Sequence, residues 1–231
     1  LKNMLVAVIA ITMLSAPAFA GSFGVGVAGH AIGVSASGTE TSGGVETGVE
    51  GSQKTATAGN NLMVGSVFAE YNFGESERFT LGVDYIPGSA DISSKTLTRT
   101  DLDGVGETDS TKNGKNTAQA EVSQIITYYA EIPVHGGLYA KAGWTTMDVA
   151  TKEKPFLVGS TTSSYGDTSV DGITIGAGYR NTFGTNAYYK IEGTHTDFDS
   201  LTLTSDAAVL ANKITANLDV TKITFGLGYA F

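Results

Sequence analysis

The sequence predicts an all-β fold, an eight-stranded antiparallel up-and-down barrel, from three observations. Segments of about ten residues alternate between apolar and polar side chains, the period-two pattern of strands. Glycine is abundant and proline scarce, with 30 and 4 of 231 residues, which suits strands and turns. The connections between the segments alternate strictly between short and long.

Each predicted strand has one apolar face and one polar face. In the last segment the alternation changes parity near Thr221, which predicts a β-bulge there. The predicted strands cover residues 22–37, 62–73, 79–86, 118–132, 138–147, 171–180, 187–203 and 214–231.

The short connections cover residues 74–78, 133–137 and 181–186, and the long ones cover 38–61, 87–117, 149–170 and 198–212. Antiparallel strands with this alternation place every long loop at one end of the barrel. Short periplasmic turns and long extracellular loops are the pattern of a transmembrane barrel in an outer membrane. A soluble secreted sandwich is the alternative fold.

The first twenty residues have the three regions of a secretory signal peptide. Lys2 precedes an apolar run over residues 5–14, and Ala18 and Ala20 provide the small residues that a signal peptidase recognises. We expect cleavage between Ala20 and Gly21, which leaves residues 21–231 as the barrel domain. The apolar run is too short for a membrane-spanning helix.

Charged residues within the strands lie on the face opposite the apolar one. In a membrane barrel the apolar face contacts lipid and the polar face lines the lumen. We therefore expect a paired charge network that fills the lumen and leaves no wide pore; a gated ion path is the alternative. The charges are Glu70, Asp84, Glu131, Lys141, Arg180, Lys190, Glu192 and Lys222.

The last strand has the most regular apolar stripe, which ends on an aromatic residue. The stripe consists of Ile223, Phe225, Leu227, Tyr229 and Phe231. With the signal peptide and the loop alternation, it resembles the small eight-stranded outer-membrane barrels, the OmpA barrel-domain, OmpX and opacity-like group. The resemblance implies the outer membrane of a Gram-negative bacterium. It also implies that the barrel assembly machinery reads the stripe, and that lipid and lipopolysaccharide surround the barrel.

Composition and motifs exclude several other kinds of site. A net charge of −9 disfavours nucleic acid, and the absence of cysteine excludes disulfides and thiol chemistry. Residues 195–200 contain His, Asp and Ser but match no barrel hydrolase pattern, and residues 101–109 lack the spacing of a calcium loop. We expect no catalytic residues, no cofactor and no metal.

The predicted role is structural and surface-interactive. Long acidic loops would support membrane integrity, adhesion, or a receptor surface for extracellular ligands or phage. A narrow porin or ion channel through the charged lumen is the first alternative. A barrel hydrolase that acts on lipid A or protein is the second.

Overall fold

The computed structural model describes residues 21–43, 51–74, 79–92, 97–101, 114–154, 165–206 and 211–231. Within these ranges the chain is extended, and no helix there is long and apolar enough to cross a membrane. The strands are β1 (Gly21–Thr41), β2 (Gln53–Phe73), β3 (Phe79–Asp91), β4 (Leu97–Asp101), β5 (Gly114–His135), β6 (Leu138–Lys154), β7 (Thr168–Phe183), β8 (Ala187–Phe198), β9 (Leu201–Thr204) and β10 (Lys213–Ala230).

Eight of these strands close into a ring through antiparallel pairs. The order is β1-β2-β3-β5-β6-β7-β8-β10, and β10 pairs with β1 from Gly24↔Ala230 to Thr41↔Lys213. The two short strands, β4 and β9, pair with the outer parts of β5 and β10. The predicted eight-stranded antiparallel barrel is confirmed.

Several strands continue beyond their predicted limits on the long-loop side. The pairing of β1 with β2 extends to Thr41↔Gln53, and that of β5 with β6 begins at Thr117↔Lys154. These extensions are rich in Thr, Lys, Ala and Gly, so they lack the strong apolar alternation on which the prediction depended.

The predicted bulge at Thr221 is wrong, because β10 keeps one continuous register with both β1 and β8. What changes is the environment of the two faces. Ile223 faces out of the barrel, whereas Leu218 and Val220, on the other side of Thr221, face into it. The apolar side of the strand therefore moves from the exterior to the interior, which imitates a change of parity. Bulges occur instead in the β3–β5 and β5–β6 pairings.

The barrel consequently has two halves with opposite polarity. The half nearest the short turns has an apolar exterior and a charged interior. The half nearest the long loops has a polar exterior and an apolar core. That core contains Ile92, Val122, Met147, Val149, Val170, Phe198 and Leu218.

Candidate functional site

The exterior of the short-turn half carries exposed apolar and aromatic side chains. The terminal stripe lies on this surface, and each of its five residues is more than two-fifths exposed. The backbone of Phe231 donates to the Phe23 carbonyl at 2.8 Å, so the last residue is tied to the first strand. Aromatic pairs near the short turns include Phe73–Phe79 and Tyr179–Tyr189. This surface matches an apolar band with an interfacial aromatic girdle.

Glu70 lies at the centre of the lumen of this half and is completely buried. One carboxylate oxygen accepts from Lys190 at 2.5 Å and from the Tyr129 hydroxyl at 2.6 Å. The other accepts from Arg180 at 2.6 Å and from the Tyr188 hydroxyl at 2.8 Å. Glu70 is on β2 and these partners come from β5, β7 and β8, so side chains from four strands meet at one carboxylate.

Two further carboxylates complete the network. Glu192 accepts from Lys141 at 2.8 Å and from the Tyr139 hydroxyl at 2.7 Å. Glu131 accepts from Arg180 at 2.8 Å and lies 3.5 Å from Lys141. The network, defined as Glu70, Glu131, Glu192, Lys141, Arg180 and Lys190, has three acids and three bases. It is formally neutral, which makes burial of so many charges tolerable.

Glycines provide the room for the large lumen side chains. A methyl group at Gly26 would overlap the Phe68 ring, and one at Gly228 would overlap the Tyr188 ring. Gly82 stands in the same relation to Tyr129. Each of these rings belongs to the register partner of its glycine on the adjacent strand, so the bulky side chains lie along the wall, directly against glycine backbone.

A second polar layer lies above the network, around His30. The imidazole Nε2 is 2.7 Å from the Ser66 hydroxyl and 3.7 Å from Asp84, and Nδ1 is 2.9 Å from the Thr224 hydroxyl. Asp84 also accepts from Lys222 at 3.3 Å. The structure thus places Asp84 and Lys222, the remaining two predicted lumen charges, in this layer rather than in the network.

Sequence reasoning missed His30 as a lumen residue. The signal was available, because His30 has the same parity as the inward glycines Gly24 and Gly26 on β1. A row of threonine hydroxyls at the same level was also missed. It links Thr127 to Thr145 at 3.0 Å, Thr145 to Thr174 at 2.7 Å and Thr174 to Thr196 at 2.7 Å.

An apolar chamber lies above these polar layers. Its lining includes Leu62 and Val64 of β2, Ile86–Ala90 of β3, and core residues such as Val122 and Met147. Beside the chamber the wall is incomplete, because the pairing of β2 with β3 stops at Val67↔Tyr85.

The other sequence candidates are not brought together into a reactive site. His195 is exposed with Nδ1 3.3 Å from the Thr221 hydroxyl, and the Ser200 hydroxyl donates to Asn217. Ala18, Ala20 and nearly all of the 101–109 stretch lie outside the described residues, so the signal peptide stays a prediction. Within the described ranges no three His, Asp or Glu side chains form a metal-binding group.

Comparison with known proteins places this architecture in a family. Residues 6–231 match the model described as outer membrane protein beta-barrel domain. No curated protein matches the sequence.

Solved structures with a similar fold come from outer-membrane proteins. OprG from Pseudomonas aeruginosa is 11% identical, with a TM-score of 0.50, and the match covers 92% of this chain and 96% of that one. The protease OmpT from Escherichia coli is 10% identical, with coverages of 91% and 97% and a TM-score of 0.45. Ail of Yersinia pestis is 12% identical, with the same coverages and a TM-score of 0.36.

The matched residues include every strand of the ring, its lipid-facing band and its charged lumen. The barrel lies in the outer membrane of a Gram-negative bacterium, and the chain belongs to the outer membrane protein β-barrel domain family.

Proposed function

We propose that this protein is a non-enzymatic barrel with a structural and surface-interactive role, and that its lumen does not conduct. The single observation that carries the proposal is the neutral network that crosses the lumen from wall to wall. It joins Glu70 on β2 to Glu131 on β5, Lys141 on β6, Arg180 on β7 and Glu192 on β8.

An ion that crossed this layer would have to separate buried, hydrogen-bonded charges. The side chains of Glu70 and Lys190 are almost wholly excluded from solvent, and each has several charged or hydroxyl partners. Separation of such a pair leaves an uncompensated charge in a medium of low dielectric constant, at a cost of several kcal/mol. The Phe68 and Tyr188 rings narrow the lumen beside this network, where they lie against Gly26 and Gly228.

The surface role is supported by the extent of the barrel beyond the apolar band. The β1–β2 pairing continues to Thr41↔Gln53, and exposed polar residues such as Lys54 and Thr57 cover that extension. A rigid wall of this kind holds loops away from the membrane, where lipopolysaccharide, extracellular ligands or phage would meet them. We also propose that this extension contacts the lipopolysaccharide headgroups.

Conductance in planar lipid bilayers tests the closed lumen. Protein purified from outer membranes is first shown to be folded by its heat-modifiable gel mobility. We expect no discrete openings from the wild type. Two results together would overturn the proposal and favour the channel. Regular, salt-dependent openings would have to appear, and they would have to change in Lys141→Met but not in Glu121→Gln, a partly exposed carboxylate outside the network.

Complementation tests the structural role. A strain that lacks the protein is scored for vancomycin sensitivity, a measure of outer-membrane integrity. We expect the wild type to restore resistance, and a variant with shortened 44–50 and 155–164 loops to restore it too, because the barrel is retained. Equal sensitivity with and without the wild-type protein would contradict a structural role.

A further inference from the structure

We infer that the apolar chamber binds one hydrocarbon chain, which enters from the side through an opening between β2 and β3. This goes beyond the proposed function, because neither a closed lumen nor a surface role requires a ligand inside the barrel. Three features carry the inference: the interrupted strand pairing, the height of the opening and the chemistry of the lining.

The opening is a local loss of the strand ladder. From Phe73↔Phe79 to Val67↔Tyr85 the two strands are paired. Beyond that point Pro87 has no backbone N–H, Gly88 has a φ of 88°, and the register of β3 with β5 shifts between Ile86 and Ser89. The shift turns β3 away from β2.

One contact bridges the two strands above the opening. The Asn60 side chain donates to the Asp91 carbonyl at 3.0 Å. Between this hydrogen bond and the Val67↔Tyr85 pair, residues 61–66 of β2 have no strand partner on that side. This opening, the window, is therefore bridged above by one side-chain hydrogen bond, and within the described residues the pairing of β2 with β3 does not resume beyond it.

By strand register, the window corresponds to the outermost lipid-facing residue of β10. Met63, on the outer face of β2 beside the window, is 89% exposed. Met63 is in register with Ala31, and Ala31 with Ile223, which is the last apolar residue on the outside of β10 before Thr221. Interrupted backbone at membrane depth is tolerated where it borders a cavity, which is the arrangement here.

The lining selects an apolar occupant. Leu62, Val64, Ile86, Met147 and Phe198 are among the side chains that face the space. The enclosed space of the chamber measures about 70 Å³, so it holds the terminal part of a chain rather than its whole length. Apolar walls lose dispersion contacts when the space between them is not filled by matching atoms.

The polar side chains at the floor of the chamber already have partners, so they do not require a polar group on the ligand. Thr127, Thr145 and Thr196 belong to the hydroxyl row, so they are already hydrogen-bonded to other threonines. Lys222 is paired with Asp84. A chain that enters from the membrane would therefore place its methylene groups inside and leave its polar head at the window, in the interface. Both a lipid acyl chain and a free fatty acid have this chemistry.

Two methionines provide a matched pair of reporters. Met147 faces the chamber and is 2% exposed. Met63 points to the lipid side of β2, opposite to its neighbour Val64, which points to the chamber. The protein is labelled with methyl-¹³C methionine, purified from outer membranes and placed in phosphatidylcholine nanodiscs. Nuclear Overhauser effects (NOEs) between chain protons and each methyl group are then measured, and Met63→Ser assigns the two signals.

The two sources are separated by deuteration. Protonated lipid chains without additive test the lipid source, and chain-deuterated lipid with added protonated laurate tests the free acid. We expect an NOE at Met147 in at least one of these samples, with the Met63 signal as the positive control. An NOE at Met63 and none at Met147 in both samples would overturn the inference.

A window variant tests the route and the site. Val64→Ser removes apolar surface from the lining, and Met63→Ser makes a comparable change on the outside of the same strand. In the laurate sample, we expect Val64→Ser to raise roughly tenfold the laurate concentration that gives the half-maximal NOE at Met147. In the lipid sample, we expect the NOE at Met147 to fall by a similar factor. Met63→Ser should change neither quantity. Heat-modifiable mobility confirms that both variants are folded. An unchanged Met147 signal in folded Val64→Ser would exclude the window.

Discussion

Replacement of Glu70 by Gln removes the central charge of the lumen network with little change in shape. The network has three acids and three bases, so the variant leaves one positive charge without compensation in the buried layer. The new amide also replaces one carboxylate oxygen by an NH2 group, so either Lys190 or Arg180, each a donor itself, meets another donor.

The magnitude follows from the contacts that change. Two charge-assisted hydrogen bonds, from Lys190 at 2.5 Å and Arg180 at 2.6 Å, become interactions with a neutral group. Hydrogen bonds to charged groups contribute about 1.5–3 kcal/mol each, and loss of one partner from a buried ionic cluster costs about 3–5 kcal/mol. We therefore expect the free energy of unfolding to fall by about 3–5 kcal/mol.

Urea unfolding in lipid vesicles measures the effect. Trp144 is the single tryptophan and lies on the lipid-facing wall, so its fluorescence reports the loss of the barrel from the membrane. Glu121→Gln is the matched control, because the same chemical change occurs at an exposed pair with Lys152. Such a pair contributes about 0–1 kcal/mol, and we expect the control to remain within that range.

Two results would refute this reasoning. A Glu70→Gln barrel as stable as the Glu121→Gln control would show that the buried charges do not hold the lumen together. Additivity of Glu70→Gln with Lys190→Met would be equally damaging, since the double variant restores neutrality. We expect the two changes to couple by at least about 1 kcal/mol, within the range for contacting residues.

Two more predictions concern packing and membrane position. Gly26→Ala places a methyl group against the Phe68 ring, so we expect the free energy of unfolding to fall by about 1–3 kcal/mol, or the barrel not to fold. At Gly29 an added methyl group has no atom within 4 Å, so we expect Gly29→Ala to change the free energy of unfolding by less than about 0.5 kcal/mol. Urea unfolding midpoints compare the two variants. Spin labels on Ile223→Cys and Asp219→Cys, in a chain without cysteine, should differ in accessibility to oxygen and to a nickel chelate; equal values would contradict the polarity change at Thr221.

The ring was predictable because a membrane barrel imposes a simple rule on sequence. Every strand in the apolar band must alternate, and every second connection must be short, so neither signal depends on a distant residue. Inward parity alone identifies Glu70, Glu131 and Lys190 as lumen side chains. Which acid meets which base is not encoded locally, because Glu70 and Lys190 are 120 positions apart and the barrel shear brings them together.

The outer half was less predictable for a physical reason. Above Thr221 the exterior meets water, so apolar residues such as Leu218 move to the inside and the pattern looks like a slip of register. The window was also hidden. Pro87 and Gly88 signal irregular backbone, but a sequence does not tell whether β2 follows β3 through the bend or separates from it.

The two halves of the barrel are mechanically connected, which explains how a membrane wall tolerates a window. On its other side β2 is paired with β1 along its whole length, from Gly21↔Phe73 to Thr41↔Gln53, and above the bend β3 remains paired with β5. Below the window, Glu70 ties β2 across the lumen to Arg180 and Lys190. The wall therefore holds together beside the window through the other pairings of these two strands, although β2 and β3 are not paired with each other beyond Val67↔Tyr85. We infer that the network has two roles, since the proposed closure of the lumen and the lower edge of the window both depend on it.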